Sequence, residues 1–204
     1  NVLATTDHGK TWEPQISGVT NNLRAVSFVD AQHGWIAGER GIVLRTEDGG
    51  AKWLAKPLPS KLDLHAAFFL PPNEGWVTGE EGLILHTTDG GNTWTSLGLE
   101  NTGSIGRIEV DPENPDRIFV GAMGHLFGNN PERGVYRSTD GGQNWEQKLF
   151  VNDSTGVIDL AVNPDNPDTV FAVTWERIRR PHTRVYGGPG CAVWRSFDGG
   201  DNWT

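Results

Sequence analysis

One short motif recurs five times along the chain, and this repeat constrains the fold more strongly than any other feature of the sequence. The motif reads Ser/Thr-x-Asp-x-Gly-x-x-Trp, and successive copies are 41, 41, 51 and 58 residues apart. Self-similarity with a period of about 20 to 50 residues is typical of proteins built from repeated supersecondary units. The aspartate and tryptophan of the five copies are Asp7 and Trp12, Asp48 and Trp53, Asp89 and Trp94, Asp140 and Trp145, and Asp198 and Trp203.

We interpret each copy, called the Asp motif below, as a turn between two β-strands. The carboxylate and the Ser/Thr hydroxyl can accept backbone N–H groups within the turn, and the glycine provides a backbone conformation that other residues adopt only at an energetic cost. The tryptophan then begins the next strand, where we expect its ring to be buried. These residue types stabilise a fold, so the motif aspartates and tryptophans are predicted to be structural and not catalytic.

The repeat is almost literal in the first half of the chain. Three pairs of segments align at a constant offset of 41 residues: 23–28 with 64–69, 34–38 with 75–79, and 41–44 with 82–85. Each unit reads as four short strands joined by tight turns, which is the composition of one propeller blade. The sequence therefore predicts an all-β chain: a β-propeller, or part of one, of four-stranded antiparallel blades with Asp-motif turns.

The same pattern predicts a single propeller portion over residues 1–204. Whole blades are expected at 21–62, 63–103 and 104–152, and partial blades at 1–20 and 153–204. The first partial blade begins at its third strand and the last one stops before its fourth strand. This favours a portion of a longer propeller, and the alternative is a small closed ring in which the N-terminal strand completes the last blade.

Charge and composition argue against several classes of function. The chain has 17 Lys and Arg against 26 Asp and Glu, and this net charge of −9 disfavours nucleic acid as a partner. No apolar run reaches about 18 residues, so no membrane span is expected in this chain. The single cysteine, Cys191, excludes an intramolecular disulfide. Because the sequence contains no metal-ligand spacing and no phosphate-binding loop, we predict no metal and no cofactor.

The Asp motif resembles the Asp-box of the BNR-repeat propellers, which include sialidases, some endoglucanases, sortilin-type receptors and photosystem II assembly factors. The segments GWIAGERGIVLRTEDGGAKW and GWVTGEEGLILHTTDGGNTW are most similar to photosystem II stability/assembly factor propellers. From about Leu97 onward, segments such as GRIEVDPENPDRIFVGAMGHLFGNNPERGVYRSTDGGQNW resemble exported bacterial sortilin-like propellers, often described as glycosyl hydrolase-like. The resemblance implies a propeller in an extracytoplasmic compartment (periplasmic, secreted or lumenal), and it leaves the activity open.

Two insertions lengthen the later repeats, at residues 121–134 and 174–190. Both follow the second strand of a predicted blade, so we expect them on one face of the propeller. The second insertion concentrates arginines and aromatic residues, which suit carboxylates, phosphates and protein hot spots. The alternative is that these arginines pair with neighbouring acidic residues of the scaffold. The predicted partner-binding residues are Arg177, Arg179, Arg180, His182, Arg184 and Tyr186, with His125 and Arg133 from the first insertion.

Two catalytic arrangements are conceivable, and both are incomplete. A sialidase-like site would use Arg40, Arg133 and Arg177 with Tyr186 and Glu176. The Arg-Ile-Pro signature that accompanies such sites is missing. An endoglucanase-like site needs two opposed carboxylates. The candidates are Glu80 or Glu81 facing Glu132 or Glu176. No catalytic residue is therefore predicted.

These observations favour a non-catalytic scaffold that binds another protein, or assembles a complex, through its long-loop face. The alternative function is a carbohydrate-active hydrolase, sialidase- or endoglucanase-like, with part of its site outside this chain. A protein is thus the expected partner, and carbohydrate is the alternative ligand.

Overall fold

The computed structural model describes residues 2–204, and short β-strands dominate this part of the chain. The first ten strands are β1 (Val2–Ala4), β2 (Glu13–Gln15), β3 (Leu23–Phe28), β4 (Gly34–Gly38), β5 (Ile42–Thr46), β6 (Leu54–Lys56), β7 (Leu64–Leu70), β8 (Glu74–Gly79), β9 (Ile84–Thr87) and β10 (Thr95–Ser96). The later strands are β11 (Ile105–Val110), β12 (Ile118–Ala122), β13 (Gly134–Ser138), β14 (Glu146–Leu149), β15 (Thr155–Val162), β16 (Val170–Arg180), β17 (Thr183–Tyr186) and β18 (Ala192–Ser196). Single 3-10 turns lie at Glu39–Gly41, Glu80–Gly82 and Glu100–Thr102.

The described strands form four four-stranded sheets and one two-stranded sheet. Consecutive strands are neighbours in β3-β4-β5-β6, β7-β8-β9-β10 and β11-β12-β13-β14. At the N-terminus β1 pairs antiparallel with β2. In the last sheet β16 lies between β15 and β18, and its second half pairs with β17; all three pairings are antiparallel. Each hairpin connection is short enough to join antiparallel neighbours directly.

The chain divides into two compact units. The first unit comprises Asn1–Val77 and Leu85–Thr95, and the second comprises Thr78–Ile84 and Ser96–Thr204. Both insertions predicted from the sequence belong to the second unit.

The five Asp motifs share one set of hydrogen bonds. In the third copy, the Thr87 hydroxyl donates to Asp89 Oδ1 at 2.8 Å and accepts the N–H of Gly91 at 2.9 Å. The N–H of Thr93 also donates to Asp89 Oδ1, at 2.9 Å. The same three bonds recur in the other four copies. The two residues after each aspartate have positive φ, so glycine occupies these positions except in the first copy, where His8 has a φ of 59°.

The motif tryptophans differ in burial although their turns are alike. Trp53 is 8% exposed and meets Phe28 edge to face, whereas Trp12 is 57% exposed. The other three rings, those of Trp94, Trp145 and Trp203, are half-buried. The expectation that every motif tryptophan buries its ring is therefore wrong for Trp12. Turn hydrogen bonds are local, but burial depends on what the rest of the chain packs against the ring.

The second strand of each regular sheet is its most completely buried strand. It has a hydrogen-bonded neighbour on both sides, and every residue of β4 and of β12 is buried. In β4, Trp35 is fully buried and stacks on Phe69 with ring centroids 4.1 Å apart. The Nε1 of Trp35 donates to the carbonyl oxygen of Gly90 at 3.1 Å, so the ring also satisfies its one polar group.

Residues 174–190 are more ordered than an irregular insertion. β16 continues for eleven residues to Arg180, reverses at Pro181 and His182, and returns as β17. Its first half contributes Val170 and Ala172 to the buried core of the second unit. Its second half extends past the core as one arm of a hairpin. A rigid strand of the scaffold therefore positions the arginine-rich segment.

Candidate partner-binding surface

The β16–β17 hairpin sorts the predicted binding residues onto two faces. In the antiparallel register Arg177 lies opposite Tyr186, and Arg179 lies opposite Arg184. Side chains alternate between the faces of a strand, and directly opposite residues share a face. One face of the hairpin is therefore formed by Trp175, Arg177, Arg179, Arg184 and Tyr186, and we call this set the arginine face. The opposite face is anchored by Ile178, which is 4% exposed.

Contacts among the side chains hold the arginine face in place. The Arg177 guanidinium lies over the Trp175 ring at 5.3 Å from its centroid, a cation–π contact. The Trp175 and Tyr186 rings stack at 6.1 Å. Arg179 Nε donates to the Tyr186 hydroxyl at 3.1 Å. This bond, together with the charges of the neighbouring arginines, lowers the pKa of Tyr186. Arg179 thus donates to an aromatic hydroxyl within the arginine face, and the neighbouring arginines add positive charge around it.

Arg133 organises the loop between β12 and β13, residues 123–133, which we call the insertion loop. Its side chain is 2% exposed, and burial lowers its pKa. Its guanidinium donates to the carbonyl oxygens of Met123 at 2.9 Å and His125 at 2.7 Å, and to Asn130 Oδ1 at 2.9 Å. Arg133 is one of the predicted partner-binding residues. Its guanidinium donors are occupied inside the loop, and its role in binding a partner stays a prediction.

The insertion loop and the hairpin meet. The backbone N–H of Arg179 donates to the carbonyl oxygen of Leu126 at 3.1 Å. Arg180 Nη2 donates to Asn129 Oδ1 at 3.2 Å. Phe127 forms a parallel bridge with Arg179 and is 70% exposed, which places an apolar ring beside the hairpin. Together the loop and the hairpin form one continuous surface, called the insertion surface below.

The remaining predicted residues lie at the margins of this surface. His182 is exposed at the tip of the hairpin, and the His125 side chain is exposed on the insertion loop. Arg180 points to the opposite face from Arg179 and is tied to the loop. The predicted set omitted Trp175 and Phe127. Alternation along β16 could have found Trp175, whereas the exposure of Phe127 depends on how Arg133 folds the loop.

The groups proposed for a sialidase-like site do not assemble. Glu176 and Tyr186 lie on opposite faces of the hairpin, so the carboxylate cannot activate the phenol. The Glu176 carboxylate instead accepts the Ser154 hydroxyl and the Gly190 N–H, both at 3.3 Å. Arg133, the second arginine of that set, is occupied by the insertion loop.

Within residues 2–204, no group of three or more His, Cys, Asp and Glu side chains is arranged to hold a metal ion. No helix in the same range combines the length and the apolar character needed to cross a membrane.

Comparison with protein families gives a specific match. The profile of a family described as photosynthesis system II assembly factor YCF48, a BNR-repeat family, matches residues 3–174. The chain belongs to this family. Its membership confirms the predicted resemblance to BNR-repeat propellers and to photosystem II assembly factors, and the sortilin-like resemblance of the second half stays a prediction. No curated protein matches the sequence.

Solved structures agree on the fold of this YCF48-family chain. A YCF48 structure described as bound to a D1 peptide is 24% identical, covers 91% of this chain and 68% of its own, and has a TM-score of 0.59. YCF48 from Cyanidioschyzon merolae is 17% identical over 90% of this chain and 84% of its own, with a TM-score of 0.53. The GH74 xyloglucanase from Xanthomonas campestris is 17% identical, with a TM-score of 0.68, but this chain spans only 30% of that enzyme. These likenesses confirm the predicted fold, an all-β β-propeller or part of one.

Proposed function

We propose that this YCF48-family chain is a non-catalytic propeller scaffold that binds an acidic segment of another protein through its insertion surface. The observation that carries the proposal is the arginine face, which places three guanidinium groups and two aromatic rings on one side of the β16–β17 hairpin. The whole chain has a net charge of −9, so this cluster of positive charge is a local departure from the acidic scaffold.

The chemistry of the face suits a carboxylate-bearing protein segment. Guanidinium groups bind carboxylates with paired, charge-assisted hydrogen bonds, and arginine and aromatic residues are enriched at binding hot spots. Among residues 2–204 the Arg184 guanidinium has no acidic partner, and this side chain is exposed. Charge pairing across an interface also accelerates the encounter between partners.

Family membership supports a protein partner. The family is described as one of assembly factors, and one of its structures is described as bound to a peptide. The proposal extends to a single propeller portion over residues 1–204, with blades at 21–62, 63–103 and 104–152 and partial blades at 1–20 and 153–204. It also assigns the protein to an extracytoplasmic compartment, the location implied by its resemblance to photosystem II assembly factors and exported propellers.

A carbohydrate-active hydrolase is the less favoured function. The likeness to the GH74 xyloglucanase concerns the fold, and the Glu176–Tyr186 pair lies on opposite faces of the hairpin. Turnover of a xyloglucan or aryl-glycoside substrate by the purified protein would reverse this preference.

Charge reversal on the arginine face tests the proposed function. The probe is a fluorescent, flexible acidic peptide of Glu, Gly and Ser, and fluorescence anisotropy measures its binding at low salt. The double variant Arg179→Glu/Arg184→Glu is expected to weaken binding by about tenfold or more, because each introduced carboxylate repels the peptide. Thermal unfolding should change little, since Arg184 is exposed and the half-buried Arg179 loses one hydrogen bond, to the hydroxyl of the exposed Tyr186.

Arg40→Glu is a charge control, with half the change in net charge of the double variant. Arg40 is exposed at a turn whose equivalent in the next repeat carries Glu81, so the fold already accommodates glutamate there. This variant changes the net charge without touching the insertion surface and should bind the peptide as the unmodified protein does. Equal binding by all three proteins would show that the arginine face is not the binding site.

A further inference from the structure

The outer edge of β17 presents unpaired backbone groups. The N–H groups of Arg177 and Arg179 donate to carbonyl oxygens outside the hairpin, both at 3.1 Å, and therefore point away from β17. In an antiparallel pair, directly opposite residues either exchange both hydrogen bonds or both turn them away. Arg184 and Tyr186 lie opposite these two arginines, so their N–H and C=O groups point to the outer edge of β17.

This edge is free within residues 2–204. β17 pairs with β16 alone, and neither Arg184 nor Tyr186 donates a backbone hydrogen bond outside its hairpin. Both residues are exposed. Two donors and two acceptors are therefore available in the alternating spacing that an added strand would match.

We propose that the bound protein segment adds to the hairpin as a further β-strand along the outer edge of β17. The inference rests on the proposed function and deepens it by naming the mode of recognition. The backbone of the segment pairs with Arg184 and Tyr186. Its alternate side chains lie on the arginine face, so acidic residues at every second position meet the guanidinium groups. The partner is thus an extended segment with alternating carboxylates.

Charge argues for this occupant and against a second copy of the chain. If two β17 edges paired with each other, the arginine faces of both copies would meet, and like charges on neighbouring strands are destabilising. Positive side chains on an edge strand also discourage self-association. The carboxylates of an acidic strand on the same edge would instead be attracted to the arginine face.

Backbone methylation of a peptide separates strand addition from attraction between charges alone. The probe is a peptide of alternating glutamate and threonine, about eight residues long, the length of an ordinary strand. One version is N-methylated at the glutamates and a second at the threonines, so charge and composition are unchanged. In an extended strand the N–H groups of the glutamates all point to one edge, and those of the threonines to the other. Binding is measured from the fluorescence anisotropy of the labelled peptide, which falls when the complex is diluted and the peptide dissociates.

Strand addition predicts an asymmetry between the two methylated peptides. In the antiparallel arrangement the glutamate N–H groups face β17, so that version should bind about tenfold more weakly while the threonine version binds as the unmethylated peptide does. The reverse asymmetry would mean a parallel strand. Equal binding of both versions would overturn strand addition. The flexible peptide of the charge-reversal experiment can bind without forming a strand. If it still bound while both methylated peptides bound equally, strand addition would fail and the proposed function would stand.

Discussion

The connection after the second strand of a sheet takes two forms in this molecule. Between β4 and β5 it is one 3-10 turn, Glu39–Gly41, and an equivalent turn, Glu80–Gly82, joins β8 and β9. Between β12 and β13 it is the insertion loop, and between β16 and β18 it contains a whole hairpin arm. The strands on either side are similar in all four places. The scaffold is therefore repeated, and the two long insertions are confined to one class of connection.

The two forms are held by different kinds of interaction. At the short turn, Arg24 forms ion pairs with Glu39 at 2.8 Å and with Asp63 at 2.9 Å, and all three side chains are partly exposed. Such pairs contribute little to stability. The insertion loop is instead built around the buried Arg133, which satisfies carbonyl groups that a chain turning back on itself cannot pair with strands. A longer connection needs an internal anchor, and a short one does not.

The largest expected effect concerns the repeated scaffold. Trp35→Ala removes a fully buried ring that stacks on Phe69, so we expect the free energy of unfolding to fall by about 3 to 5 kcal/mol. Chemical denaturation followed by circular dichroism measures this change. Trp12→Ala is the control, because its ring is 57% exposed and should cost far less. Similar losses for both variants would contradict the assignment of the core to the second strands.

That pair of tryptophans also shows what the sequence could predict. The turn geometry of all five Asp motifs follows from local chemistry, since a hydroxyl, a carboxylate and two positions of positive φ lie within a few residues. Ring burial does not follow, because Trp12 and Trp53 have the same motif and different neighbours.

The candidate site divides in the same way. The alternation of Trp175, Arg177 and Arg179 is present in the sequence, but it groups these residues on one face only once residues 170–180 are known to form a strand. The inward turn of Arg133 was not visible, because it depends on backbone carbonyl groups that converge only when residues 123–133 are folded. Composition singled out both insertions, but it did not separate the arginine that builds the loop from those of the arginine face.

The second largest effect tests the anchor of the insertion loop. Arg133→Ala leaves buried carbonyl oxygens without a donor, so we expect a loss of about 2 to 3 kcal/mol in the free energy of unfolding. Hydrogen exchange should show faster exchange in residues 123–133 than elsewhere. Arg184→Ala is the matched control, an exposed arginine whose removal should change the free energy by less than about 0.5 kcal/mol. If hydrogen exchange in residues 123–133 of Arg133→Ala were unchanged, Arg133 would not be the anchor of the insertion loop. The two kinds of connection would then not differ in how they are held.

Acid should weaken the repeated turns. Hydrogen bonds from Asn144 and Ser138 lower the pKa of Asp140 from 3.8 to about 2, and Asp7 and Asp198 are likewise lowered to about 2. A carboxyl group whose pKa is lower in the folded state stabilises that state above its unfolded pKa. This contribution is lost as the pH falls from about 4 to about 2.

Carboxyl titration by NMR measures the pKa of Asp140 directly, and denaturation over the same pH range measures the loss of stability. Ser138→Ala removes one of the donors and should raise the pKa of Asp140. A pKa of Asp140 near 3.8 in the folded protein would contradict the hydrogen-bonding pattern of the turn.

The smallest effect concerns the short turns themselves. Arg40 and Glu81 occupy equivalent positions and have φ values of 58° and 55°, in the left-handed region that costs a residue with a Cβ about 1 to 2 kcal/mol. Glycine avoids this cost but adds flexibility to the unfolded chain, so Arg40→Gly and Glu81→Gly should each stabilise the protein by about 0.5 kcal/mol. Thermal unfolding of the two variants measures this change in stability, and Arg184→Gly, a substitution within a strand, is the control. A gain of stability in one variant and a loss in the other would show that the two turns do not behave as equivalent copies of the repeat. The contrast with the insertions would then concern only the length of the connection.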